Sequence, residues 1–135
     1  MTLFHPSMTP EEKIDVFNSC EFAVTNGMRI EKAGENGISV TMDPAGKLNP
    51  NGTIHGGAIF SLADQAFGIA ANLESVPEVA VSASIQYLAP ATGTLTAVAV
   101  KVEDSPGTSL FRVEVLEGSR LIAVFHGTGF KIRKK

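Results

Sequence analysis

Little in this chain points to cross-linking, secretion or membrane insertion. A single cysteine, Cys20, leaves no intrachain disulfide and no cysteine-rich zinc site. It reads as a small apolar residue and not as a nucleophile, since no histidine is near it in sequence. The three histidines are scattered, with no H-x-H or H-x-x-x-H spacing for a metal. No stretch reaches the roughly 18 uninterrupted apolar residues of a membrane span. The opening MTLFHPSMTPEEK lacks the basic start and apolar run of a signal peptide. Basic residues are not in excess: 11 Lys and Arg stand against 14 Asp and Glu, for a net charge of −3, which argues against nucleic-acid binding. The expectation is a cytoplasmic protein with neither membrane nor nucleic acid as partner. Internal repeats, low-complexity runs and linkers are also missing, so residues 1–135 read as a single domain.

What is present is apolar and patterned. Hydrophobic residues make up 44% and charged residues 19%, the balance of a globular chain with a real core. Thr9-Pro10-Glu11-Glu12 is a helix start, with Thr9 as cap, Pro10 at the first helical position and Glu12 closing a capping box. A helix over about 10–19 follows, too short to persist without docking on something else. Residues 28–34 and 37–43 read as two strands around Glu35-Asn36-Gly37, a hairpin turn signal. PAGKLNPNG, residues 44–52, reads as a loop. From Gly56 to Leu73 the chain has no proline and is apolar nearly all round, interrupted by Ser61, Asp64, Gln65 and Asn72. Such a segment predicts a long helix wrapped on several sides. After Pro77 the period changes to two. Residues 78–88, 95–103, 109–116 and 121–132 predict four strands in an antiparallel meander. The class is α+β: a curved antiparallel sheet of about six strands around one long helix, with a short N-terminal helix.

Two features carry chemistry. The loop Asn49-Pro50-Asn51-Gly52-Thr53-Ile54-His55-Gly56-Gly57 runs into the long helix. Free N–H groups at a helix start favour negative charge, and glycines let a ligand approach the backbone, as in an oxyanion hole for an acyl carbonyl. The same pattern also suits an ordinary glycine-rich helix entry. The second feature is Asp64, a poor helix-interior residue on an apolar surface. It either meets water or sits in a polar pocket as a candidate base or nucleophile. Gly56 and Asp64 are eight residues apart, about 12 Å along one helix. A carboxylate so far down its own helix does not reach a group held at that helix's first N–H. Two antiparallel copies would bring each Asp64 to the other's helix start, so the two features together predict a twofold dimer with sites at the interface.

The run N-P-N-G-T-I-H-G-G-A-I-F-S-L-A-D-Q-A-F, from Asn49 to Phe67, resembles the hotdog-fold acyl-CoA thioesterases of the phenylacetic-acid-degradation type. V-S-A-S-I-Q-Y-L-A-P, residues 81–90, is similar to the strand after the helix in that family. The resemblance covers nearly the whole chain in element order and is strongest over 49–90. It implies an acyl-CoA thioesterase acting on a medium-chain or aromatic acyl group, with coenzyme A as part of the substrate and no cofactor. Asp64 falls on the family's carboxylate, which activates water or attacks as nucleophile. Gly56 falls on the backbone donor to the thioester carbonyl, and His55 on a histidine that positions substrate or loop. Asn49 matches an asparagine beside the reacting group in some members, and Ser82 a serine that helps hold the water. Gly57, Phe60, Ser61 and Gln65 are the neighbouring candidates for substrate contact. The resemblance also implies a homodimer with shared sites, paired into a homotetramer. Coenzyme A phosphates would meet basic side chains, among them Arg112 and the terminal Lys131, Arg133, Lys134 and Lys135. Two other readings stand beside it: a hydratase of the same fold, disfavoured by the carboxylate spacing, and a non-catalytic acyl-CoA-binding or sensing module, disfavoured by the presence of Asp64.

Overall fold

The computed structural model describes residues 3–34, 37–74 and 76–133. The elements run α1 (Pro10–Ser19), α2 (Glu21–Thr25), β1 (Met28–Gly34), β2 (Gly37–Met42), α3 (Gly56–Asn72), β3 (Glu78–Tyr87), β4 (Leu95–Asp104), β5 (Thr108–Glu117) and β6 (Arg120–Lys131). Glu35 and Asn36 of the expected hairpin turn lie outside the described residues, as do Lys134 and Lys135. Gly37 takes φ of 107°, in the left-handed region that favours glycine.

Thr9 and Glu12 form the expected capping box: Glu12 N–H donates to Thr9 Oγ1 at 3.2 Å, and Thr9 N–H to Glu12 Oε1 at 3.0 Å. Beside Val16 and Phe17, a buried lysine docks this short helix. Lys13 is only 2% exposed, and its Nζ donates to the carbonyls of Leu73 at 3.2 Å and Glu74 at 2.8 Å. A cation on the carbonyls just past the end of α3 is well placed for the helix dipole. Lys13→Met keeps the stem and removes the ammonium. It is expected to destabilise the fold by about 2 kcal/mol, the scale of lost hydrogen bonds from a charged donor, measured by urea unfolding.

All six strands form one antiparallel sheet in the order β1-β2-β4-β5-β6-β3. The expected meander is therefore correct for β4, β5 and β6 and wrong for β3, which sits at the far edge on β6 and not beside β4. The reason is the connection over residues 88–94, which is spread across the sheet end and is not a tight hairpin. Leu88 and Ala89 N–H donate to Ile122 O, Ala91 O accepts from Ile54 N–H, and Thr92 and Gly93 N–H reach the Glu117 carboxylate. The short α2 was not expected; five residues give too little periodicity to read.

The sheet curls around α3. Alternate residues point inward, such as Ile38, Val40 and Met42 of β2, and Phe111, Val113 and Val115 of β5. Phe67 of α3 meets Phe111 edge-on at 5.6 Å and Phe125 at 6.0 Å. Gly127 makes room for this cluster, since a Cβ there would lie 3.0 Å from the Phe67 and Phe125 rings. One stripe of α3 is left uncovered by the sheet: Gly57, Ser61, Asp64 and Gly68 are exposed or half-buried. β3 beside it is an edge strand whose residues Val79 to Ser84 are exposed on both faces.

That edge strand is fastened to α3 at both ends. At its start, Glu78 N–H donates to Asn72 Oδ1 at 2.8 Å, and Asn72 Nδ2 donates to Glu78 O at 3.2 Å and Gly68 O at 2.9 Å. The Glu78 carboxylate is buried and accepts from Ser109 Oγ, in space that a Cβ on Gly129 would fill. At its end, Tyr87 Oη donates to Gly56 O at 3.0 Å.

Candidate active site

The start of α3 is where the polar groups gather. A helix opens with four N–H groups that have no partner inside it. Here Gly57 N–H donates to His55 Nδ1 at 2.8 Å, and Ala58 and Ile59 N–H share His55 O at 2.9 and 3.2 Å. The Gly56 N–H has no acceptor among the described residues, so it is the one uncommitted donor of the turn. Because His55 Nδ1 accepts, the neutral ring carries its proton on Nε2. The ring itself is exposed. His55 N–H is held by Lys47 O at 2.8 Å, and Ile54 N–H by Ala91 O at 2.8 Å, which seats the loop before the helix.

Asn49 lies in this loop, and its side chain is spent on shaping it. Oδ1 accepts from Asn51 N–H at 2.9 Å and Thr53 N–H at 3.1 Å, while Nδ2 donates to Thr53 Oγ1 at 2.9 Å. Such bonds are typical of asparagine in turns. Gly52 completes the turn with φ of 79°.

Asp64 is two turns further along, on the uncovered stripe. Its side chain meets solvent in the single chain, yet the protein around it is enough that desolvation raises the carboxyl above the usual aspartate value of 3.8. Among the described residues no hydrogen-bond donor or cation offsets that cost. Ser61, one turn before it, turns its hydroxyl back on Gly57 O at 2.8 Å.

The remaining candidates are placed differently. Ser82 is exposed on β3, opposite Thr128 of β6 and next to a register shift at Ala80/Ser82. Phe60 is half-buried with its ring edge-on to Phe125 at 5.4 Å, a core contact. Gln65 Nε2 lies 3.7 Å from Cys20 Sγ, between α1 and α2. His55, Gly56, Gly57, Ser61 and the Asn49 turn thus sit around one helix start, whereas Asp64 and Ser82 lie apart from it in the single chain. Tyr87 belongs at that start and was not expected there; its alternation matches the rest of its strand.

Arg112, Lys131 and Arg133, the basic candidates among the described residues, do not gather at the start of α3. Arg112 Nη2 pairs with Glu114 at 3.0 Å. Lys131 is held by Asp104 and Ser105 O, and Arg133 Nη2 by Pro106 O at 3.0 Å. Lys131 lies opposite Glu78, at the end of the sheet where α3 finishes. Among the described residues no three of His, Cys, Asp and Glu cluster to hold a metal, and no helix is long and apolar enough to cross a membrane.

A family profile described as "Domain of unknown function (DUF4442)" matches residues 17–118. The acyl-coenzyme A thioesterase PaaI of Escherichia coli is 34% identical over 110 residues, covering 78% of this chain and 79% of that protein. This chain belongs to the PaaI-like hotdog thioesterases. The solved structure of E. coli PaaI, from the phenylacetic acid degradation operon, superposes with a TM-score of 0.82 at 30% identity, over 90% of this chain and 91% of that one. The curved sheet around α3 is thus the hotdog architecture. A putative esterase of Deinococcus radiodurans is 38% identical over 95 residues, 67% of this chain. The match spans 64% of that relative's own length.

Proposed function

We propose that this PaaI-like protein is an acyl-CoA thioesterase whose sites form between two copies of the chain. The observation that carries this reading is the open Gly56 N–H at the start of α3, with the Asp64 carboxylate, uncompensated among the described residues, on the uncovered stripe of the same helix. Gly56 N–H takes the thioester carbonyl oxygen, and the partner subunit's Asp64 faces the carbonyl carbon. In one route Asp64 takes a proton from water, and the water oxygen adds to the carbonyl carbon. The negative charge collects on the carbonyl oxygen at Gly56 N–H. The C–S bond then breaks with its electron pair on sulfur, and the thiolate takes the proton from Asp64. In the other route Asp64 itself adds to the carbonyl carbon, the C–S bond breaks with its pair on sulfur to give the anhydride and the thiolate, and water opens the anhydride, its proton going to the thiolate. A thiolate leaves readily, so neither route needs a second strong acid.

The second copy is supported by the edge strand. β3 offers an unpaired edge with Val79 and Val81 48% and 59% exposed, an arrangement that invites pairing with another strand. Beside it, Gly57, Ser61 and Gly68 leave space around Asp64 for another body. Dimers pairing through the outer sheet face, where Val100 and Phe130 are exposed, give the homotetramer. His55 caps the turn and Asn49 shapes the loop; in this reading Ser82 of β3 helps hold the water.

The acyl group is medium-chain or aromatic in this reading, in keeping with the operon of the E. coli relative. Thiol release should be measured across acyl-CoAs from acetyl to long-chain, with phenylacetyl and benzoyl included. Turnover highest on medium-chain or aromatic thioesters is the expected result. Tight binding of every acyl-CoA with no thiol released would turn the reading into that of a carrier or sensor.

A further inference from the structure

We propose that Tyr87 is a positioning residue for the hydrolysis: it locks the first turn of α3 so that the Gly56 N–H stays aimed at the carbonyl oxygen. The proposal rests on the reading of Gly56 as the oxyanion donor. Glycine is among the weakest helix formers, and α3 begins with two of them, so its first turn is intrinsically soft. Two side chains compensate. Tyr87 Oη donates to the carbonyl of the Gly56–Gly57 peptide at 3.0 Å, and His55 Nδ1 accepts from the N–H of the same peptide at 2.8 Å. A single peptide plane is therefore held at both ends, from the end of β3 and from the loop. Donation to the carbonyl also polarises the peptide and strengthens the bond to His55. With that plane fixed, the preceding N–H cannot swing off its line.

The contact also explains why position 56 is a glycine when its backbone conformation does not demand one. A Cβ on Gly56 would lie 3.3 Å from Tyr87 Cζ and 3.4 Å from its Oη. The end of the ring lies against the glycine, so that a side chain there would have to push it aside by a few tenths of an ångström. Tyr87 is half-exposed and also walls an apolar groove of about 350 Å³ with Ile54, Ile59, Leu88 and Pro90. A substrate at Gly56 N–H would pass this ring.

The test is steady-state hydrolysis of the best acyl-CoA by Tyr87→Phe, Tyr87→Ala and Asp64→Asn, with thermal midpoints for all. Phenylalanine keeps the ring on Gly56 and loses the hydroxyl bond. A roughly tenfold fall in kcat for Tyr87→Phe, with KM and midpoint unchanged, is expected, about what one neutral hydrogen bond contributes. Tyr87→Ala should fall further. Unchanged kcat in Tyr87→Phe alongside an inactive Asp64→Asn overturns the role of Tyr87 and leaves the site standing. A fall in kcat that tracks a fall in midpoint also overturns it, as a structural effect. An active Asp64→Asn overturns the site itself and the proposal with it.

Discussion

Asp64→Asn is expected to lower thioester hydrolysis by about 10²–10⁴, the range over which a positioned acid or base contributes, while leaving the fold at least as stable at neutral pH. The two halves of this expectation have one cause. In the single chain desolvation raises the Asp64 carboxyl above 3.8, and among the described residues no donor or cation offsets it. The folded state therefore binds the proton more tightly than the unfolded state does. The stability gained from that proton is complete below the unfolded value and is lost as pH rises through the raised folded value. At neutral pH the wild type carries the full cost of the charge, and asparagine carries none. The thermal midpoint of Asp64→Asn should equal or exceed that of wild type at pH 7, and the difference should close on acidification. Catalysis in either route needs the carboxylate ionised. The desolvation of the single chain places the acid limb of kcat/KM above the usual aspartate value; a limb at or below it would show that the partner's α3 start offsets that desolvation in the assembled site.

Mixed dimers give the second large effect. If each site takes its N–H from one chain and its carboxylate from the other, two inactive variants should restore activity together. Gly56→Pro deletes the donor at a helix position that accepts proline, after a residue (His55, φ −58°, ψ 136°) already in the conformation proline prefers before it. Its ring presses on Tyr87, a flexible neighbour. Asp64→Asn deletes the carboxylate. Co-refolded in equal amounts, half of the dimers are mixed, and each mixed dimer holds one site with both groups intact and one with neither. About a quarter of wild-type activity should return from two preparations that are separately near zero. If donor and carboxylate came from the same chain, mixing would restore nothing.

Much of this arrangement is legible along the chain, because local physics decides it. Thr9 and Glu12 announce their capping box, and the period-two runs announce their strands nearly to the residue. Asp64 stands out because an ionised group on an apolar helix needs a reason. Apart from the five-residue α2, the misses are long-range. The alternation of β3 is no different from that of β4, so nothing local says that it crosses to β6. Lys13 looks like a solvated lysine until the end of α3 arrives with two bare carbonyls. Asn49 looks free to meet a substrate, but its amide is taken up by the turn it sits in. Tyr87 is one more residue of an alternating strand, and the hint of its role was Gly56, a glycine with no turn of its own to make.

Tyr87 is also the only tyrosine in a chain without tryptophan. The protein's tyrosine-type ultraviolet emission therefore comes from a single phenol, seated on the glycine that opens α3 and bonded to its carbonyl. The molecule carries its own optical label, native to the site and requiring no engineered probe. Loosening of the first helical turn, arrival of a thioester in the adjoining groove, and approach of a second chain to the end of β3 would each change the surroundings of that one fluorophore.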